Sequence, residues 1–187
     1  MFIVIEGDNG TGKTTVSHIL NEKYNFKFIT EHKEILQLEI QSKCFDIGSI
    51  ARFKAFVNYN RICGKQAEKC DRALLARYWI STVSAAYADK LFNIDEALEK
   101  ADELMNTLVR PDYIFRLKCD FRKRIDRIEK RTAADKNDDI TVERDRRYSL
   151  ILDHLQERIG IITEITTDDI SPDNVVGKIL NCIGEVI

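Results

Sequence analysis

The sequence predicts an α/β fold, a parallel sheet with helices on both faces. Short apolar runs alternate with amphipathic helical stretches along the chain, and strands separated by helices return to a parallel neighbour by crossover. The first apolar run, residues 2–5, breaks into a glycine-rich turn and then into a helix opening on Lys13 and Thr14. With 187 residues, two prolines and eight glycines, the chain reads as one domain over 1–187, with a real core and no low-complexity linker.

The elements follow in order. After the strand at 2–5, residues 15–24 carry Val16, Ile19 and Leu20 at helical spacing. A second strand is expected at 26–30, then a helix over 31–40 and a long helix over 49–69. The run Ala73-Leu74-Leu75-Ala76 is a buried strand. Helices are expected at 81–92 and 95–109, the second capped by Asp95 or by the preceding Asn93. Pro111 cannot continue that helix and opens a strand to Cys119. Asp120 caps a basic helix reaching Arg131. Residues 132–139 are polar, and a long helix to about Ile159, a strand at 161–166 and a helix from Pro172 complete the chain.

Gly7 to Thr14 spell G-x-x-x-x-G-K-T, the pattern of a phosphate-binding loop. Phosphate oxygens need several donors converging on a small concave surface. Glycines at 7, 10 and 12 let backbone N–H groups supply them, with Asp8, Asn9, Thr11 and Thr15 completing the cradle. The following helix aims its positive end at the same anion. Lys13 reaches the terminal phosphates, and the Thr14 hydroxyl suits Mg2+, a hard ion that prefers oxygen. ATP and Mg2+ are therefore the expected ligands. In such sheets ligands sit beyond the carboxyl ends of the strands, here just after residues 5, 30, 76 and 118.

A formal net charge of −2 gives no electrostatic reason to expect a nucleic-acid partner. The basic residues between Arg116 and Arg147 are interleaved with acids. Five cysteines form no C-x-x-C pair, which argues for reduced thiols rather than zinc or disulfides. No apolar run spans a bilayer and no charged leader precedes the first strand, so no membrane is expected and the cytoplasm is the expected location. No N-K-x-D motif points to a GTPase.

Beyond the loop, E-G-x-x-G-x-G-K-T-T at residues 6–15, R-Y-x-x-S-T at 77–82 followed by Ala86-Tyr87, and the strand Arg110-Pro111-Asp112-Tyr113 leading to a basic helix resemble thymidylate kinase. The resemblance covers most of the chain in the same order. It implies a three-layer α/β/α P-loop kinase with a five-stranded parallel sheet, a lid at about 132–141, and a homodimer. The implied activity is transfer of the terminal phosphoryl of ATP to a deoxynucleoside monophosphate, most often thymidylate. By matching position, Lys13 and Thr14 hold ATP and Mg2+, and Arg77 bridges the acceptor phosphate and the transferred group. Arg61 contacts the base, with Phe56 or its neighbour as the stacking ring. Ser81 lines the base pocket, Tyr148 the sugar, and Asn9 faces the acceptor. Gly10 resembles the branch whose catalytic arginine comes from the lid, here Arg131, with Arg127 and Lys136 behind it. Guanidinium groups suit this work because their fork matches phosphate oxygens and stays charged.

The family pattern breaks at Ala76, where an Asp is usual, and at Asn9, where an acid is usual. Residues 30–34 lack the Arg-Glu-Pro-Gly-Gly segment that grips the acceptor phosphate, leaving Lys33 as a substitute. Ala86-Tyr87-Ala88-Asp89 replaces Ala-Tyr-Gln-Gly. Every break lies on the acceptor or metal side. Two other readings therefore stand beside the first. One is a deoxynucleoside or other small-molecule kinase, although Ala76-Arg77-Tyr78 lacks that group's Glu-Arg-Ser. The other is a nucleotide-binding regulatory module with little transfer activity.

Overall fold

The computed structural model describes residues 1–31, 33–130 and 142–185, with backbone alone at 31 and 33. Five strands form one all-parallel sheet in the order β2-β3-β1-β4-β5. They are β1 (Phe2–Gly7), β2 (Lys27–Phe28), β3 (Ala73–Ala76), β4 (Tyr113–Lys118) and β5 (Ile162–Thr166). The helices are α1 (Lys13–Tyr24), α2 (Lys33–Lys43), α3 (Ile50–Ala67), α4 (Trp79–Ala88), α5 (Ile94–Thr107), α6 (Phe121–Glu129), α7 (Val142–Ile159) and α8 (Pro172–Cys182). Every residue of β1 is buried, as its unbroken apolar run requires of a central strand covered on both faces. Phe2, Val4, Leu75 and Ile114 pack under α3, α4, α5 and α7. Ile3, Ile5, Leu74, Phe115 and Leu117 pack under α1 and α8. That is the predicted α/β/α arrangement.

Two expected elements change their bounds most. The second strand, expected at 26–30, keeps only Lys27–Phe28 and passes into a 3-10 turn at Ile29–Glu31. It is an edge strand whose one neighbour, β3, is four residues long, and Ile29 turns into the core at 1% exposure. Helix α4 starts at Trp79, not Ser81, and stops at Ala88. Lys90 there takes φ 64, and the Leu91 N–H returns to the Ala86 carbonyl at 3.0 Å, a left-handed helix stop. Between the two candidate caps of α5, the chain uses Asn93, in a reciprocal capping box with Glu96. Asp120 caps α6 as expected, accepting from Arg122 N at 2.9 Å. Among the described residues no helix is long and apolar enough to cross a membrane.

Candidate active site

The chain leaves β1 at the centre of the sheet, where the connections diverge to either side, and ligands collect at such a point. Gly7 has φ 134, and a Cβ there would sit 2.2 Å from the Leu117 carbonyl oxygen on β4. Gly10 has φ 82, and its Cβ would lie 2.8 Å from the Arg124 carbonyl oxygen. Both positions need glycine for conformation and for room. Gly12 precedes α1 with a left-handed backbone, no side chain caps the helix, and its first turn carries no acid. A Cβ at Gly12 would meet nothing within 4 Å. Lys13 is buried and its Nζ lies across the loop, 2.5 Å from the Asp8 carbonyl and 3.4 Å from Thr11 Oγ1. Thr11 Oγ1 donates to the same carbonyl at 2.9 Å. Thr14 and Thr15 are exposed on the first turn of α1.

Helices α6 and α7 clamp this loop from outside. Arg124 is 3% exposed, donates to the Asn9 carbonyl at 3.1 Å, and pairs with both oxygens of buried Asp145 at 2.8 and 2.6 Å. Arg127 donates to the Gly10 carbonyl at 3.3 Å and to the Thr167 carbonyl at 3.0 Å. Ser149 donates to Asp8 Oδ1 at 2.7 Å. The basic helix expected to serve a lid is thus divided in its uses. Arg124 and Arg127 brace the loop, Lys123 pairs with Asp169 at 2.5 Å, and Arg122 and Lys130 are exposed. Arg131, Lys136 and the expected lid at about 132–141 lie outside the described residues, as does the side chain of Lys33.

Arg77 follows β3 with φ 74, an uncommon backbone for a residue with a Cβ. Its N–H still bonds Ile5 O at 3.0 Å, and the next residue turns sharply so that Tyr78 N reaches Glu6 Oε1 at 2.8 Å. The guanidinium thereby points beside the phosphate loop, with Nη2 on Asn9 Oδ1 and Nη1 on the Tyr148 hydroxyl at 3.0 Å. Tyr148 donates to Ser81 Oγ at 2.9 Å, and Ser81 donates to Glu6 Oε2. Burial pushes the Tyr148 phenol up to about 12, so it stays a donor at neutral pH. Burial likewise raises the Glu6 carboxyl above its ordinary value, against opposing hydrogen bonds from Ser81 and Tyr78.

These residues edge a cavity of about 270 Å3 between α2, α3, α4 and α7. Asn9, Phe56, Arg77, Ser81 and Tyr148 all line it, so the structure gathers five of the expected acceptor-side residues in one place. Arg61 is not among the lining residues; it is exposed on α3. The face of α3 that meets the cavity is Phe53, Phe56 and Asn60, at helical spacing, and Arg61 lies one residue out of that phase. The arginine that α3 does contribute is Arg52, which donates to the Phe45 carbonyl at 3.0 Å and lies 5.8 Å from the Phe56 ring centre. Asn60, 1% exposed, donates Nδ2 to Thr82 Oγ1 at 2.8 Å. Also lining the cavity, Arg144 of α7 pairs with Asp89, the residue that follows α4, at 2.5 Å. Sequence reasoning missed Glu6, Asn60 and Arg144. Glu6 opens the E-G-x-x-G-x-G-K-T-T run, and the helical phase linking Phe56 to Asn60 points to a second of them.

No protein-family model matches the chain, and no curated protein sequence matches it. Solved structures do. Deoxyadenosine kinase from M. mycoides, solved with dCMP and dCDP bound, aligns over 100% of both chains with a TM-score of 0.67 at 17% identity. Thymidylate kinase from Candida albicans aligns over 98% of this chain and 90% of its own, with a TM-score of 0.72 at 18% identity. Thymidylate kinase from Ehrlichia chaffeensis aligns over 98% of both, with a TM-score of 0.64 at 18% identity. The glycine loop, the central β1 and the flanking cavity thus belong to a chain that shares its α/β/α fold with these kinases.

Proposed function

We propose that this protein transfers the terminal phosphoryl group of ATP to a deoxynucleoside monophosphate, with thymidylate the leading acceptor. The observation that carries the reading is the juxtaposition of the glycine loop with a cavity that Asn9 of the loop lines together with its hydrogen-bond partner Arg77. In this reading Gly7 to Thr15 cradle the ATP phosphates, and Lys13 leaves the Asp8 carbonyl to meet them. The exposed Thr14 hydroxyl fits Mg2+ as one of its oxygen ligands. Such an ion supplies neutralisation of the phosphate charge. Arg77 holds the acceptor phosphate in line with the transferred group. The base stacks on Phe56 beside the Asn60 amide in a pocket that Ser81 lines, and Tyr148 flanks the sugar. Arg131, with the lid at about 132–141, completes the charge balance and excludes water.

Charge separates a monophosphate from an uncharged nucleoside. The cavity is lined by four cations, Lys43, Arg52, Arg77 and Arg144, against the carboxylates of Glu39 and Asp89. The resulting net +2 suits a phosphate dianion. Transfer to a 5′-hydroxyl instead needs a base. Glu39 is paired with Lys43 at 2.7 Å and Asp89 with Arg144 at 2.5 Å, which leaves those two lining carboxylates occupied. The full-length likeness to a deoxyadenosine kinase keeps a deoxynucleoside acceptor as the second reading. The test is ADP release from Mg-ATP across deoxynucleosides and their monophosphates. Thymidylate-dependent release supports the first reading and deoxynucleoside-dependent release the second. ATP binding with no acceptor-dependent release would overturn both in favour of a regulatory module. The reading also carries a homodimer, checked by light scattering, and a cytoplasmic location.

A further inference from the structure

One buried carboxylate has no part in the proposed transfer. Glu6, at the end of β1, is 1% exposed. Its Oε1 accepts from the N–H groups of Tyr78 at 2.8 Å and Ser81 at 3.4 Å, and its Oε2 accepts the Ser81 hydroxyl. Ser81 Oγ accepts from Tyr148 at 2.9 Å, and Arg77 Nη1 donates to Tyr148 Oη at 3.0 Å and, at 3.5 Å, to Ser81 Oγ directly. An ionised carboxylate can only accept, and a guanidinium can only donate. Between those ends the two hydroxyls have one consistent orientation. Every proton points from Arg77 towards Glu6, and every free lone pair points back towards Arg77. Without the carboxylate, the Ser81 proton would have no fixed acceptor. Burying an ionised carboxylate is unfavourable, and its hydrogen bonds offset that cost only in part. A neutral side chain would fill the space with less penalty.

We infer that Glu6 is a positioning residue for Arg77, acting through Ser81 and Tyr148 to hold the guanidinium fork beside the phosphate loop. The inference rests on the proposed role of Arg77, but the placement of Arg77 can be measured without turnover. Glu6→Gln changes one atom and reverses the relay. The two backbone N–H groups at Oε1 accept nothing, so the amide carbonyl must stay on them and the new NH2 must face Ser81 Oγ. The serine proton then turns to Tyr148, and the tyrosine proton turns towards Arg77 Nη1–H, setting donor against donor.

In the wild-type protein, 15N NMR of the guanidinium groups should show slow rotation at Arg77, assigned by loss of its signals in Arg77→Lys. Glu6→Gln should bring those signals to fast averaging. Ser81→Ala, which keeps both backbone bonds to the carboxylate, should do the same and serves if Glu6→Gln does not fold. With the best acceptor from the screen, Glu6→Gln should lower kcat at least tenfold while the KM for ATP stays within about twofold. Adding Tyr148→Phe removes the opposed donor, so the double variant should be at least about fivefold more active than the product of the two single effects requires. Unchanged Arg77 signals in a folded Glu6→Gln or Ser81→Ala protein would overturn the positioning role. If no acceptor supports turnover in the wild type, the functional reading fails, and the NMR result still decides the relay.

Discussion

Breaking the buried pair Arg124–Asp145 tests how the glycine loop is held. The two side chains are 4% and 6% exposed, and the guanidinium also carries the Asn9 carbonyl. Removing one partner from such a pair leaves an uncompensated buried charge and costs about 3–5 kcal/mol. Asp145→Ala should fall near the low end, because Arg124 keeps the Asn9 carbonyl. Arg124→Met should fall higher, since the Asp145 carboxylate loses both of its bonds to Arg124. For a chain of this length, the range corresponds to a drop in Tm of about 6–20 °C. Replacing both, as Arg124→Met with Asp145→Leu, removes the charges together and should recover most of that loss. The double variant should nonetheless bind ATP more weakly, because nothing then holds the Asn9 carbonyl. Urea unfolding followed by Trp79 fluorescence, with calorimetry for ATP, measures both quantities. If either single variant loses less than about 1 kcal/mol, or the double variant binds ATP like the wild type, the pair is not the brace described above.

Lys13→Ala should leave the melting temperature close to that of the wild type while lowering Mg-ATP affinity at least tenfold, measured by titration calorimetry. Asn60→Ala should raise the acceptor KM several-fold, whereas Arg61→Ala on the exposed face of α3 should leave it within twofold in steady-state assays; the opposite ranking would restore Arg61 as the base contact. Glu6 binds its proton more tightly folded than unfolded, so ionising it opposes folding. Its contribution to stability therefore falls as pH rises from its ordinary value, 4.5, through its raised folded value. Urea midpoints across that window should show the wild type losing stability relative to Glu6→Gln as pH increases. A constant difference would mean that the carboxyl does not titrate there.

How much was legible in advance follows from the range of the interactions involved. The loop was readable because its chemistry is local: Gly7 to Thr14 contain the donors, the clearances and the helix start within eight positions. Caps behaved similarly, as Asp120 and Asn93 act on amides two or three residues away. The second strand was overextended because its apolar residues are the same whether they pair with a neighbour or turn into the core, and only the four residues of β3 decide which. Arg61 lies one residue out of helical phase with Asn60, a rotation of about 100° that puts it on the exposed side of α3 rather than in the cavity lining. Arg124 and Arg127 read as members of a basic stripe because nothing in their own segment shows that Asp145, Thr167 and two loop carbonyls lie opposite them.

The sequence by itself determined the α/β alternation and the glycine loop, since each depends on neighbours within a turn or two of chain. Tertiary structure decided the rest. It brought Glu6, Arg77, Ser81 and Tyr148 from β1, the end of β3, α4 and α7 into one hydrogen-bonded chain, and it made some cations braces and others cavity lining. A charge's role depends on what lies within about 3 Å of it. For these residues, those neighbours are separated by up to 142 positions of sequence (Glu6 to Tyr148) and meet only when the sheet closes.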